Sequence, residues 1–423
     1  MFKKTYLENG IPVVMEQVKD VRSVSLGVWV KVGSRNELPE KNGISHFLEH
    51  MFFKGTQKRS ARDIAVDTDS MGGDLNAFTS RESTTFYIKV LDEYFDKGIE
   101  LLSDIFIHST FPEEDIEKEK GIIKEEIKMV EDTPDDYIYD LFNQTIWGND
   151  GIGQPILGRR DTIKSFIRED LVSHTKKHYG TKGIVISCVG NFETDRLLDA
   201  LNHNFSSLRK GSEPDKEPQP LFNSRIKVHS KELSEVHLCL GIEGMPQASK
   251  DRYVLFILNT ILGGGVSSRL FQEIREKRGL VYSVCSYISS YADTGVLAVY
   301  AGTGKKKILQ VIELILKELR GLADMLSDVD VERAKAQLKG NLILGLESTS
   351  SRMQNIARQE IYYGRYYSPS EIIREINSIS LAQVKELAEK LISRSASPTP
   401  GVGDVAFTVL GPVNESDFKG IMG

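Results

Sequence analysis

Cysteine is scarce in this 423-residue chain: Cys188, Cys239 and Cys285 are the only three. They are odd in number, far apart and set in strand-like runs. That excludes a disulfide scaffold and suits small core residues in a reducing compartment, with the cytoplasm as the default. No apolar run approaches the roughly 18 residues that a membrane span needs. The net charge of −6 is spread along the chain with no basic block, so neither a membrane nor a nucleic acid is an expected partner. Residues 1–10 carry two lysines but are interrupted by Glu8, and read as a first strand and turn, not a signal peptide. What remains is the composition of a soluble globular protein, 40% hydrophobic and 27% charged, long enough for about two to four domains.

One stretch stands out, Gly43-Ile44-Ser45-His46-Phe47-Leu48-Glu49-His50-Met51-Phe52-Phe53-Lys54-Gly55. Its apolar residues, with Asn42 available as a cap and Gly55 as a stop, predict a buried helix. On that helix His46, Glu49 and His50 stand at i, i+3 and i+4 and share one stripe. Two neutral imidazoles one turn apart can hold one zinc ion, and a carboxylate between them can take a proton from a metal-held water. A lone buried histidine is ordinarily a core residue. Three polar groups buried together cost several kcal/mol unless paired or metal-bound. The order is His-x-x-Glu-His, the inverse of the commoner zinc-protease signature. His174 and His178 are also one turn apart, but they lie in a Lys-rich amphipathic helix with no carboxylate between them, and are expected on a solvated face.

In chain order, segments 11–15 and 24–32 read as antiparallel strands with one polar face. The helix of 43–54 follows, then a helix over 60–71 capped by Ser60, strands at 74–80 and 83–90, helices at 92–109 and 112–131, and a very apolar strand at 183–190. Residues 208–220 hold three prolines and no periodicity, and mark a linker near the midpoint. The pattern then repeats. Segment 237–242 parallels the second strand, 253–262 the metal helix, 282–289 and 294–300 the strand pair, and 305–322 and 329–346 the two long helices. The expected fold is α+β: two duplicated halves, 1–207 and 221–423, each a mainly antiparallel sheet packed against helices. The repeat of the metal helix has no His or Glu, so the polar stripe was not needed for folding.

A catalytic zinc site usually has three protein ligands. On helix 112–131, Glu119 and Glu126 lie on or beside the apolar stripe of Ile116, Ile123, Ile127 and Val130, and either could reach a metal or pair with Lys120 or Lys124. In the repeat their places fall near Ala334 and Asn341, so the carboxylates vanish together with the histidines.

With these residues the chain resembles the pitrilysin family of zinc peptidases, over nearly its whole length. It is most similar to half-length members related to the β subunit of the mitochondrial processing peptidase. The run His46 to Thr56 matches the family signature almost residue for residue. The resemblance implies that Glu126, in Glu125-Glu126-Ile127 and 76 residues beyond His50, is the third zinc ligand, and that Glu119 supports the site. It also implies that Asn76, Ala77, Phe78 and Thr79 form an edge strand on which a peptide is laid as an added strand. Arg275 and Tyr282 match a pair that holds the substrate and its oxyanion. Departures are the short Gly263-Gly264-Gly265 run, where the α subunit has an extended glycine-rich loop, and the lack of a mitochondrial targeting segment.

The implied activity is zinc-dependent endopeptidase cleavage of unfolded or short peptides in a closed chamber, with one zinc per chain and Glu49 as the base. The implied assembly is a homodimer, the alternative being a heterodimer with an inactive paralogue. The rival reading is a non-catalytic structural or peptide-binding subunit of the same fold.

Overall fold

Apolar and β-branched runs build two sheets in the computed structural model, which describes residues 1–149, 151–212, 215, 217–394 and 405–422. The chain divides into two units: Met1–Met129, Asp150–Glu217 and Gly345–Tyr366 form the first, and Val130–Asn149, Pro218–Leu344 and Tyr367–Gly423 the second. This differs from the expected halves 1–207 and 221–423, because residues 130–149 and 345–366 each belong with the sheet of the other half. The expected linker, 208–220, lies partly outside the described residues.

In the first unit, β1 (Phe2–Tyr6), β2 (Pro12–Gln17), β3 (Ser23–Val30), β4 (Asp74–Thr79), β5 (Thr84–Leu91) and β6 (Ile184–Gly190) form one sheet in the order β1-β2-β6-β3-β5-β4. Only β2 and β6 pair in parallel. β2 and β3 run antiparallel as expected but do not pair directly: β6, buried at every residue, inserts between them. Nor does β3 have a polar face. Helix Thr349–Tyr363 covers that side, seating Met353, Ile356 and Ala357 against Val14, Trp29, Val185 and Val189. The fit is close at Gly27, where a Cβ would stand 2.6 Å from Met353 Sδ.

On the other face lie α1 (Ile44–Met51), α2 (Ala61–Ser70), α3 (Phe95–His108) and α4 (Glu113–Glu131). Ser60 caps α2 as expected, its Oγ accepting from the Asp63 N–H at 3.2 Å. Phe47, Leu48, Met51 and Phe52 are wholly buried with Val28, Phe86 and Ile105, which turns the polar stripe of α1 towards α4 and β4. β4 is a sheet edge.

The second unit repeats this plan. β7 (Ile226–Ser230), β8 (Val236–Glu243), β9 (Val281–Ser290), β10 (Gly295–Thr303) and β11 (Ala406–Gly411) take the order β7-β11-β8-β10-β9, with β7 and β11 parallel and the other pairs antiparallel. Helix Pro134–Trp147 covers one face, and a Cβ at Gly241 of β8 would stand 2.8 Å from Phe142 Cζ. Central strands β3 and β8 thus each carry a glycine beneath the helix that crosses them. β4 and β9 are the matching edges. The fold is α+β with two duplicated halves, each a mainly antiparallel sheet on helices. Among the described residues no helix is long and apolar enough to cross a membrane.

Candidate active site

The site begins at a fixed helix end. Gly43 precedes α1 at φ 95°, a left-handed conformation that favours glycine. Asn42 does not cap the helix as expected. The buried carboxylate of Glu37 does so instead, accepting from the N–H of Gly43 at 2.7 Å, the N–H of Ser45 at 2.8 Å and the Asn42 side-chain amide at 3.0 Å. Burial pushes the Glu37 carboxyl up in pKa, and these donors oppose that rise. Phe47 then packs edge-on to Phe166, 5.3 Å between ring centres. Phe52 stacks on Tyr179 at 5.5 Å.

So held, α1 presents His46 and His50 with ring centres 4.7 Å apart. Glu126 comes from α4, its Oε2 lying 3.8 Å from His46 Nε2 and 3.6 Å from His50 Nε2. One ligand atom from each of the three lies within 4.8 Å of the others, the one such group of His, Cys, Asp or Glu among the described residues. His46 is held down to about pKa 3 by burial and by its neighbour His50, so it is neutral and its lone pair is free to bind a cation. His46 Nδ1 and Glu126 Oε2 are buried without a hydrogen-bond partner. Two imidazoles, one carboxylate and the buried, unpartnered Glu126 Oε2 facing both Nε2 atoms fit a zinc ion.

Glu119, the other carboxylate on α4, does not enter this group. Its Oε2 lies 3.0 Å from His50 Nδ1 and its Oε1 2.6 Å from Lys54 Nζ. A carboxylate at Nδ1 keeps the proton on that nitrogen and leaves the His50 Nε2 lone pair facing Glu126. Glu49 points to the edge strand instead, where its Oε2 accepts from Thr79 Oγ1 at 2.6 Å. Burial raises the Glu49 pKa, opposed by the Thr79 bond and His50, with Glu126 adding to the rise.

On β4, Thr79 is therefore bound to the carboxylate between the histidines. The Ala77 N–H donates to Asn76 Oδ1 at 2.8 Å. Phe78 faces away, its ring 5.7 Å from Trp29 and 6.3 Å from Tyr87. Arg275 and Tyr282 belong to the second unit. Arg275 sits in a π-helical turn, Phe271–Glu276, with its guanidinium 4.9 Å from the centre of the Phe271 ring. Tyr282 is 68% exposed on the edge strand β9, although its apolar neighbours suggest core. The His174–His178 pair is not on a solvated face: His178 is 6% exposed and His174 half-buried. Tyr179, wholly buried, pulls that turn inward, which the Lys-rich sequence conceals.

Residues 12–160 match insulinase (peptidase family M16), and residues 165–338 match the peptidase M16 inactive domain. The chain is 44% identical to an uncharacterized zinc protease of Bacillus subtilis, YmxG, over 93% of this chain and 96% of that one. It is 36% identical to an uncharacterized zinc protease of Rickettsia bellii over 99% of both. In fold it resembles a protease from Helicobacter pylori, with TM-score 0.89 and 23% identity over 97% of this chain and 100% of that one. A chain of complex III2 from Candida albicans aligns with TM-score 0.84 and 22% identity over 98% and 97%. At these identities the two structures speak to fold alone. The chain belongs to peptidase family M16, the pitrilysin family, among half-length zinc proteases.

Proposed function

We propose that the chain is a zinc-dependent endopeptidase acting on unfolded or short peptides. The observation that carries this is the convergence of His46, His50 and Glu126 beside a carboxylate, Glu49, held at the edge strand. His46, His50 and Glu126 would hold one zinc ion. When bound, zinc supplies Lewis-acid polarisation and makes water more acidic. Glu49 takes the proton of the attacking water on its carboxylate and passes it to the leaving amine. Glu119 keeps His50 oriented through the Nδ1 contact. An incoming peptide pairs with the backbone of Asn76, Ala77, Phe78 and Thr79, and in doing so replaces the Asn76 side chain at the Ala77 N–H. Arg275 and Tyr282 are assigned to the substrate and its oxyanion on the family resemblance.

The working assembly we propose is a homodimer enclosing the peptide, with a heterodimer with an inactive paralogue as the alternative. The free cysteines, Cys188 and Cys239 buried among them, support a cytoplasmic setting.

The test is cleavage of an unstructured, fluorescence-quenched peptide before chelation, after chelation and after zinc is restored. Loss and return of cleavage is the expected result. A folded, zinc-loaded protein that cuts no peptide, alone or with its partner chain, would overturn the reading. Gel filtration of an active preparation checks the assembly, and activity in a monomer peak rules the dimer out.

A further inference from the structure

We propose that Arg35, Glu82 and Tyr362 form a clamp that sets the edge strand β4 against α1, and so fixes the bond from Thr79 to Glu49. This rests on the peptidase reading above. The sheet holds β4 from one side alone, through β5. After Thr79 comes the turn Ser80-Arg81-Glu82-Ser83, closed by the Ser80 N–H donating to Ser83 O at 2.7 Å. Glu82 accepts at both carboxylate oxygens: Oε1 from Arg35 Nη1 at 2.6 Å, and Oε2 from the Tyr362 hydroxyl at 2.9 Å. The side chains of Arg35 and Glu82 are 6% and 10% exposed. The same loop grips the backbone of the turn, with the Ser34 N–H donating to Ser80 O at 3.2 Å and the Arg35 N–H to Arg81 O at 2.8 Å. Two residues further on, Glu37 caps α1. One short loop, 34–37, thus holds the start of the metal helix with one side chain and the end of the edge strand with another.

Stability alone does not call for this pair. A buried ion pair seldom adds net stability over apolar residues of the same volume, because both ions give up their water. The second unit shows that the turn closes without one. There the matching turn, Tyr291-Ala292-Asp293-Thr294, is closed by the Tyr291 N–H donating to Thr294 O at 2.9 Å. Its first residue is gripped in the same way, the Gln247 N–H donating to Tyr291 O at 2.7 Å as Ser34 does to Ser80 O. The loop that does so, Gly244-Met245-Pro246-Gln247, carries no arginine. The backbone grip is therefore common to both halves, while the Arg35–Glu82 pair belongs to the half with the metal residues. Arg35, Glu82 and Tyr362 are positioning residues, acting on the carboxylate of Glu49 through the hydroxyl of Thr79.

The experiment is a double-mutant cycle on the zinc-loaded full chain, read with one quenched peptide. Glu82→Gln keeps the shape and removes the charge, and Tyr362→Phe keeps the ring and removes one donor. Each is combined with Thr79 and with Thr79→Val. With Thr79 in place, Glu82→Gln is expected to lower kcat about tenfold, as the loss of one hydrogen bond to a charged group implies. With valine already at 79 the further loss is expected to be less than about twofold, because the clamp has no hydroxyl left to act through. Tyr362→Phe leaves the Arg35 bond in place and should show a smaller loss with the same dependence on Thr79, even where Glu82→Gln fails to fold. Zinc affinity is expected to match the wild type in both. Equal losses in the two backgrounds, or none in either, overturn the clamp. Amide hydrogen exchange over residues 74–84, with 44–51 as reference, separates the two readings because it needs no cleavage. Exchange over 74–84 about tenfold faster in Glu82→Gln, in a protein whose wild type cuts no peptide, keeps the clamp and removes the peptidase. Cleavage by the wild type, with kcat and exchange unchanged in both variants, does the reverse.

Discussion

The hydroxyl of Thr79 donates a 2.6 Å hydrogen bond to Oε2 of Glu49. It ties the edge strand β4 to the carboxylate that stands between two histidines. A hydrogen bond to a charged group is worth roughly 1.5–3 kcal/mol. Thr79→Val keeps the shape and the strand but leaves the Glu49 carboxylate without this donor. We expect kcat to fall about 10- to 100-fold, from that energy, with KM little changed. Thr79→Ser restores the donor and should recover most of the loss. Steady-state kinetics on one quenched peptide suffices, and a valine variant with wild-type kcat would remove Thr79 from the catalytic arrangement.

His50 is governed from behind by a chain of two residues, Glu119 at 3.0 Å and Lys54 at 2.6 Å from the far oxygen of Glu119. Partners of this kind set the tautomer and basicity of a ligand, and losing one typically costs 10- to 100-fold in metal affinity. Glu119→Gln keeps the size and removes the charge, and is expected to weaken zinc by about that factor. Lys54→Met removes only the outer partner and should weaken zinc less. Competition with a chromophoric chelator measures both. Equal affinity in all three proteins would show that the pair has no bearing on the metal.

These relationships differ in how far the chain alone discloses them. His46, Glu49 and His50 are legible because helical spacing is local, and because the repeat keeps the apolar stripe while dropping the polar one; spacing alone leaves Glu126 level with Glu119, and only the family resemblance separates them. The strand pairs and the Ser60 cap are legible for the same reason. Glu37 is not. It sits in a loop without periodicity, near an exposed Glu40 of the same type, and only the folded chain shows which of the two is buried. The apolar face of β3 that meets Met353 is hidden differently, since its partner lies more than 300 residues further along the chain. A strand with Ser25, Gly27 and Trp29 on one side looks solvated until that helix arrives. His178 misleads because three polar neighbours outweigh the one buried Tyr179 that decides its turn.

The His174–His178 pair, one half-buried and one buried, makes a prediction about acid. Burial is the main cause that lowers both imidazoles, His174 to about pKa 3 and His178 to about 4, with the charge of Lys177 adding to each and that of His178 to His174. In the unfolded chain both take up protons below about pH 6.5. The unfolded state therefore binds more protons between pH 6.5 and about 4, so stability is full above 6.5 and declines as pH falls through that window. We expect the pair to cost roughly 1–2 kcal/mol at pH 5, discounted for partial solvent contact. Urea unfolding at pH 7.5 and pH 5 reads this, in the wild type and in His174→Gln with His178→Gln. The double variant should lose less on acidification. An identical pH slope in both proteins would show that neither imidazole is buried in its neutral form.

The start of α1 sets the metal site, so its anchor should matter more than any exposed neighbour. Three donors converge on Glu37. Removing their acceptor leaves the N–H groups of Gly43 and Ser45 unpaired in a buried place, at about 1–3 kcal/mol apiece, while the Asn42 amide keeps its 3.0 Å bond to Pro155 O. Glu37→Ala is therefore expected to destabilise the zinc-free protein by at least about 2 kcal/mol. Glu37→Gln keeps one carbonyl oxygen and should cost less. Gly43→Ala meets a harder obstacle: at φ 95° its Cβ would stand 2.7 Å from Gly158 Cα and 2.9 Å from Leu157 O, which are backbone atoms with little room to yield. Glu40→Ala, one turn earlier and exposed, serves as the control and should lie within about 0.5 kcal/mol of the wild type. Added zinc binds the folded form and should recover part of the loss in both Glu37 variants, because ligand binding to the native state adds stability by mass action. If Glu37→Ala unfolds at the same urea concentration as Glu40→Ala, the cap is not what holds α1 in place, and the burial of Phe47 and Phe52 must hold it alone.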